Sequence, residues 1–464
     1  MQPRIAIVGG GISGLAVAHA LRTTHAALGA ELVVFEATAR LGGNVRTIHR
    51  GDFLIDEGPD SWVAAKPEMT ALARALGLGD RLIETTEENR RVYVRHRGSL
   101  VPLPEGLVLG IPTEILPLVR TPLISMRGKL RAALDLVLPV GFGRAAGEDE
   151  ALGAFVERRL GREVLDGLAG PLLGGLFTGD AGDLSLLGTF PQLARLEARG
   201  GLIRGSLAMR PKRARGAPKP SAFTSLRGGV GEIVDALAAR LGDAIRLETA
   251  VQRLARTGDG AWEITHDGGA RIVDHVVLTG PAHGAARLLR GVATAAEGEL
   301  DAIPYGSAAT VFLSYGRTSI AHRLDATGYL VPRAAAGTPT ASTWVSSKWE
   351  GRAPAGEVLL RVFFGGADVD RTDDDLVRRA TEEIASTLRP SAPPRFTHVA
   401  RFRRGSPQPR VGHPARLRRI AESLRATPGV HLVGSAYDGV GLSDCVRQAQ
   451  AVARQIAEGP HPLR

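Results

Sequence analysis

Ile5-Ala6-Ile7-Val8-Gly9-Gly10-Gly11-Ile12-Ser13-Gly14-Leu15 is the stretch on which the fold turns. The short β-branched run Ile5, Ile7, Val8 reads as a buried strand, and Leu15 to Leu21 as an apolar helix. Gly9, Gly11 and Gly14 between them form G-x-G-x-x-G. Gly9 makes the tight turn, Gly11 lets the backbone approach a pyrophosphate, and Gly14 lets helix and strand pack closely. Gly10, Ile12 and Ser13 complete the turn. The helix N-terminus offers free N–H groups and partial positive charge to phosphates. A second strand, Glu31 to Phe35, ends at Glu36, which lies 22 residues beyond Gly14 and is followed by Ala37. An acid there accepts the two hydroxyls of an adenosine ribose and disfavours a 2′-phosphate, so the expected ligand is FAD or NAD rather than NADP.

The next residues separate those two. Arg40-Leu41-Gly42-Gly43-Asn44-Val45-Arg46 is a second glycine turn carrying two arginines. A nicotinamide site has no use for it, whereas a longer cofactor needs a second backbone approach and cations near its diphosphate. The stretch from Glu36 to Arg46 resembles the second signature of amine-oxidase-like flavoproteins, among them monoamine oxidases, phytoene desaturases and protoporphyrinogen oxidases. FAD is therefore the expected cofactor. Gly58-Pro59-Asp60-Ser61 is a further turn whose free backbone groups can face the flavin.

The 464 residues suggest two or three domains, with 44% hydrophobic composition. Lysine and arginine number 58 against 48 acids, a net charge of +10. Such a surface can meet nucleic acid, anionic lipid or an acidic small molecule. No nucleic-acid motif is present and aromatics are only 5%, so base-stacking platforms and a nucleic-acid partner are not expected. One cysteine, Cys445, excludes an internal disulfide framework and a cysteine metal cluster. No metal is expected. The first strand begins near residue 4, which leaves no room for a leader, and no run of 18 uncharged apolar residues offers a spanning helix. A cytoplasmic location follows as the expectation.

The predicted fold class is α/β: a Rossmann-type FAD-binding domain, a mixed-sheet substrate domain and an inserted α-helical domain. The expected order is FAD-binding 1–76, substrate 77–101, helical 102–203, a basic loop with substrate sequence 204–221, FAD-binding 222–288, substrate 289–400 and FAD-binding 401–464. Helices are expected at Pro67–Leu76, Lys129–Leu138, Val156–Leu168, Glu232–Leu241 and Asp373–Leu388. Strands are expected at Ile245–Thr249, Val251–Ala255, Trp262–Thr265, Val273–Thr279, Ala308–Tyr315, Thr340–Val345, Val358–Phe364 and His431–Val433. Residues 102–139 are apolar runs broken by prolines beside Arg120, Arg127, Lys129 and Arg131. They read either as core or as the mouth of an apolar tunnel resting peripherally on an anionic membrane. A C-terminal helix starting near Val440, with Gly434, Gly441 and Leu442 about its entry, returns to the cofactor and can aim its N-terminus at the flavin.

Several further motifs narrow the resemblance. Gly58-Pro59-Asp60-Ser61-Trp62, Pro171 through Gly175-Leu176-Phe177-Thr178-Gly179-Asp180, Thr189-Phe190-Pro191, Leu226-Arg227-Gly228-Gly229 and Tyr437-x-Gly439-Val440-Gly441-x-x-Asp444-Cys445 are similar from end to end to the protoporphyrinogen oxidase family. Gly110-Ile111-Pro112-Thr113 is reminiscent of its coproporphyrinogen III branch. The resemblance implies that a porphyrinogen loses hydride to the flavin. O2 then reoxidises the flavin to give H2O2, and three rounds yield the porphyrin for hand-off to a chelatase. It implies that Gly175 approaches the substrate, that Arg90, with Arg91 one step away, holds a propionate, and that Val251 and Phe402 line the cofactor. Phe402 stands where many relatives have tryptophan. Leu313, Leu330 and Phe363 are candidate walls for the macrocycle, and His413 is read as structural. Protoporphyrinogen IX is the expected substrate, with coproporphyrinogen III as the alternative. An amine oxidase, a carotenoid desaturase and a non-catalytic lipid- or prenyl-binding escort stay open as more distant readings.

Overall fold

The computed structural model describes residues 2–108, 111–112, 115–143, 147–177, 182–208, 221–332 and 339–459. Gly110, Thr113, the Thr178-Gly179-Asp180 end of its motif and residues 209–219 of the basic loop lie outside the described residues.

Five parallel strands form the first sheet, in the order Ile245–Arg246, Glu31–Phe35, Arg4–Val8, His275–Leu278 and Val430–Leu432. Ile5, Ala6 and Ile7 are wholly buried, as both faces of a parallel sheet require. Ile5 and Ile7 pack on one side with helices Ile12–Thr23, Gly231–Leu241 and Leu442–Glu458. Ala6, Val33 and Phe35 pack on the other, with an antiparallel meander of Val251–Arg256, Trp262–His266 and Gly269–Val273. The run expected as one strand at 273–279 is divided between the two sheets. Asp274 marks the corner: its carboxylate accepts the Arg4 N–H at 2.7 Å and the Arg4 guanidinium at 2.8 Å, and the chain changes sheet there. The strand expected over 245–249 ends at Arg246, and Glu248 takes a left-handed φ of 49°.

A seven-stranded sheet stands beside this unit, in the order Phe396–Pro407, Tyr305–Gly316, Glu357–Gly365, Ala341–Trp344, Gly328–Leu330, Tyr93–His96 and Ser99–Pro102. Its pairs are antiparallel except Gly328–Leu330 with Tyr93–His96. Alternate residues face opposite ways. Val311, Leu313, Leu360 and Val362 pack against helix Asp373–Leu388, whose Thr372 hydroxyl caps it by accepting the Asp375 N–H at 3.3 Å. Phe312 and Leu359 turn the other way, towards Ile55 of the hairpin Thr47–Arg50/Phe53–Asp56. Two expected boundaries move. Residues 401–407 belong to this sheet, because Arg401 and Phe402 pair with Ala309 and Ala308. Helix Thr294–Asp301 packs with Ile420 of helix His413–Leu424 in the core of the parallel sheet, so 289–304 belong on that side.

The inserted unit is helical, with a core around Phe155, Val156, Leu160, Leu168, Leu173, Leu186 and Leu193. The helix expected at Lys129–Leu138 runs instead over Met126–Ala133 and closes in a 3-10 turn, Leu134–Leu136. Its start is set by Ser125, whose hydroxyl accepts the Gly128 N–H at 3.1 Å. The helix expected at Val156–Leu168 is interrupted. Leu152–Leu160 ends at Gly161, whose φ of 90° suits glycine, and Arg162–Val164 and a π-helical turn Leu165–Ala169 follow. A Cβ on Gly161 would lie 2.6 Å from Arg131 Cγ, so the break also admits that side chain. Arg159, fully buried, pairs with buried Asp135 at 2.6 Å and ties the two segments together.

Candidate cofactor and substrate site

The two glycine turns face each other at the C-terminal edge of the parallel sheet. Gly9 adopts a φ of 116°, and the Thr279 hydroxyl bonds its carbonyl at 2.9 Å. A Cβ on Gly14 would lie 2.0 Å from Gly9 O, so helix and strand meet there only without a side chain. The Gly42 N–H donates to Gly10 O at 2.9 Å, which fixes the second turn against the first. A Cβ on Gly11 would meet only Gly43 Cα, at 4.0 Å. The groove between Gly11 and Gly43 thus carries no side chain on either wall. It is open to a diphosphate, and the adjoining N-terminus of helix Ile12–Thr23 has no side-chain cap. Glu36 is held ready beside it. One carboxylate oxygen accepts the Gly10 N–H at 2.8 Å, the other the Thr38 N–H at 2.9 Å, and lone pairs remain for ribose hydroxyls. The Thr249 N–H bonds Glu36 O at 2.9 Å, which brings Val251, two residues on, to the same edge next to Glu36 and Ala37. Arg40 spends its guanidinium on Leu41 O and Gly43 O, at 3.1 and 2.6 Å, and so braces the second turn. These residues fit FAD.

Beyond the turns the chain gathers Asn44, Gly58 and Phe402. The Asn44 amide donates to Gly405 O at 2.9 Å. A Cβ on Gly58 would sit 1.9 Å from Asn44 O and 3.6 Å from Phe402 Cζ. Gly58-Pro59-Asp60-Ser61 is held from beneath: Asp60 pairs with Lys348 at 2.9 Å and accepts the Ser61 hydroxyl at 2.7 Å and the Trp349 indole N–H at 3.1 Å. Burial would raise the Asp60 pKa, but the charges of Lys348 and Arg361 outweigh it and hold the carboxyl below the usual range. Glu57 pairs with Arg46 at 3.0 Å and His398 at 2.6 Å, and Asp56 with Arg352 at 3.1 Å.

The C-terminal segment returns to this edge. Gly434, with a φ of 153°, follows strand Val430–Leu432 and gives its N–H to Gln448 at 3.2 Å. Gly441 opens helix Leu442–Glu458, and its N–H is taken by Asp444 at 3.2 Å, which also pairs with Lys66 at 2.6 Å. Val440 packs on the helical unit's core and Leu442 on that of the parallel sheet, so the helix entry sits where the two meet.

Arg90 donates to Thr85 O at 3.1 Å and approaches Glu84 at 3.7 Å; Arg91 approaches Asp325 at 3.5 Å. Asn89 donates to Ser347 O at 2.7 Å, which ties the triplet to the segment carrying Lys348. Gly175 lies in helix Gly170–Phe177, which packs against strand Gly328–Leu330. Leu330, Ala341, Phe363 and Thr310 are lateral partners and share one face of the seven-stranded sheet. Leu313 lies on the opposite face, buried against helix Asp373–Leu388, so it does not share the face of Leu330 and Phe363 as a common wall would require. His413 is buried at the start of its helix, and burial pulls its pKa down. The sequence reading missed Arg361, Lys348, Trp349, Arg352 and His398. One signal was there: Arg361 is the single charge inside Val358-Leu-Leu-Arg-Val-Phe-Phe364.

Such an arrangement, an open glycine groove at the edge of a parallel sheet, beside a mixed seven-stranded sheet and a helical unit, is that of a flavin-dependent oxidoreductase. The family model for flavin containing amine oxidoreductases matches residues 12–457, and the chain belongs to that family. It is 34% identical to the coproporphyrinogen III oxidase of Bacillus subtilis (strain 168), over 97% of either chain. It is 31% identical to protoporphyrinogen oxidase 1, chloroplastic, of Arabidopsis thaliana, over 97% of this chain and 87% of that protein. A solved structure from Exiguobacterium sp. 255-15, provisionally named a protoporphyrinogen oxidase, superposes with a TM-score of 0.86 at 33% identity, covering 99% of both chains. The protein is an FAD-dependent oxidase.

Proposed function

We propose that the enzyme oxidises a porphyrinogen to the porphyrin, three O2 being reduced to three H2O2, and that its substrate is coproporphyrinogen III. The observation that carries this reading is the match to the Bacillus subtilis enzyme over 97% of both chains. That match favours the coproporphyrinogen alternative over the protoporphyrinogen IX expected from sequence. When bound, FAD accepts hydride from a methylene bridge of the macrocycle and passes the electrons to O2. The chain contributes placement. Gly9 to Gly14, Glu36, Ala37, Arg40, Gly42 to Asn44 and Val251 hold the adenosine and diphosphate. Gly58 to Ser61, Phe402, Gly434 and Val440 to Leu442 hold the ring end. Leu330 and Phe363 wall the macrocycle, Gly175 leaves room for it, and Arg90 takes a propionate. Hydride transfer asks for alignment rather than a nucleophile, and effective alignment lowers barriers by several kcal/mol.

Parallel kcat/KM measurements on the two porphyrinogens test the substrate. Coproporphyrinogen III, with two more carboxylates for the basic chain, is expected to be preferred tenfold or more, about 1.4 kcal/mol. The reverse preference returns the assignment to protoporphyrinogen IX; turnover of neither by the FAD-loaded enzyme sinks the porphyrinogen reading.

Peripheral membrane contact belongs to the same reading. Of twelve exposed large apolar side chains among the described residues, eight lie between residues 116 and 142, including Met126, Leu130 and Val137 at 63%, 66% and 73% exposure. Exposed Arg120 and Arg127 lie among them, and basic residues near an anionic surface contribute about 1 kcal/mol each. A mouth resting there would release the flat product towards a chelatase. The protein is expected to float with anionic vesicles at low salt and less at high salt. Folded, active protein that floats at neither would leave this surface without a lipid role. No helix among the described residues is long and apolar enough to cross a membrane.

A further inference from the structure

Arg361 is the one charge past the first residue of strand Glu357–Gly365, an interior strand of the seven-stranded sheet, and is 6% exposed. Its fork is spent on main chain. Nη1 donates to Gly58 O at 2.8 Å and Nη2 to Glu57 O at 2.5 Å. The guanidinium carbon lies 4.6 Å from the Phe363 ring centroid and 5.2 Å from that of Phe312. Burial brings its pKa down to about 10, with Asp60, Asp56 and Glu57 opposing the fall, so the group stays charged at neutral pH. Each of those acids already has its own cation in Lys348, Arg352 or Arg46. Arg361 adds to the field that keeps Asp60 ionised but is the sole counter-ion of none of the three.

What the fork does is fix two successive peptides. In a trans peptide the N–H points opposite to the C=O. With the Glu57 carbonyl drawn towards Arg361, the Gly58 N–H is turned away from it. That N–H finds no acceptor among the described residues, and the next peptide has no N–H because Pro59 follows. Between Glu57 and Pro59 the turn therefore offers one preset donor, the Gly58 N–H, beside Asn44 and Phe402.

We propose that Arg361 is the positioning residue of the Gly58 turn: by holding the Glu57 and Gly58 carbonyls it presents the Gly58 N–H to the flavin ring and favours the reduced cofactor. The inference rests on the placement of the Gly58 turn at the ring end of FAD and is independent of which porphyrinogen is oxidised. The test uses the FAD-loaded wild type, Arg361→Met and Arg361→Lys without substrate. The midpoint potential is read anaerobically against a reference dye, with the visible spectrum, FAD affinity and melting temperature measured alongside. Arg361→Met is expected to shift the reduced-to-oxidised ratio at a fixed poise at least tenfold towards oxidised, about 30 mV for a two-electron couple. Arg361→Lys, which keeps the charge but loses the fork, is expected to fall between, at threefold or more. Should the methionine variant not fold, the lysine variant decides alone. Variants that carry FAD with wild-type potential and spectrum, whatever their melting temperature, would show that Arg361 only supports the fold.

Discussion

Gly175→Leu is expected to leave FAD bound and to lower kcat/KM at least a hundredfold, about 2.7 kcal/mol. Helix Gly170–Phe177 runs between the helical unit and the substrate sheet, packed on strand Gly328–Leu330. Leu173, fully buried, anchors it in the helical core. Position 175 lies about 200° round the helix from that anchor, on the side away from it. The π-helical turn Leu165–Ala169 sets the phase of this helix, and such turns recur at functional sites. On the proposed reading, a leucine there takes room that the macrocycle needs. It also has higher helix propensity than glycine, by roughly 0.8 kcal/mol, so a loss of turnover would not come from breaking the helix. The visible flavin spectrum and anaerobic bleaching by the porphyrinogen separate cofactor binding from substrate access. Unchanged kcat and KM in the FAD-replete variant would make Gly175 merely structural.

The cofactor groove was legible because it is local in sequence. Gly9 to Gly14, Glu36 and Gly42-Gly43 lie within 35 residues, and the strand–turn–helix around them forces the backbone into one arrangement. Strand Phe396–Pro407 was not legible. Arg401, Arg403 and Arg404 break its pattern, and it tolerates them because it is an edge strand whose Arg401 and Arg403 pair with Asp373 and Asp370. The amphipathic stretch 156–168 read as one helix because periodicity does not register the positive φ at Gly161. Leu313 was misplaced by parity: a strand presents alternate residues to opposite faces, and neither the register nor the covered face is encoded locally. The charges beneath Gly58 were invisible for a different reason. Asp56, Glu57 and Asp60 meet Arg352, Arg361, His398 and Lys348 only after two sheets have docked, across nearly three hundred residues or more of chain.

The same docking leaves no room for a side chain at Gly58, in the turn proposed to hold the ring end of FAD. Gly58→Ala is expected to lower FAD retention on dialysis and, at saturating FAD, to slow reduction of the flavin by about a hundredfold. The added Cβ would start 1.9 Å from Asn44 O, far inside any contact that two backbone groups sustain. One side must move by about 1 Å, a displacement that in a reacting site costs about a hundredfold. The turn is the pinned side. Arg361 holds its carbonyls, Arg46 and His398 hold Glu57, and Lys348 with Trp349 holds Asp60. Asn44 is the yielding side, tied through its amide to Gly405 and through the chain to Gly43. The strain therefore passes into the glycine groove. Gly298→Ala is the control: this helical glycine has nothing within 4 Å of its would-be Cβ, and alanine there should be neutral or stabilising by up to about 1 kcal/mol. A Gly58→Ala enzyme that keeps its flavin and reduces it at the wild-type rate would mean that Asn44 retreats without disturbing the groove. The buried charges would then hold a turn on which the cofactor does not depend.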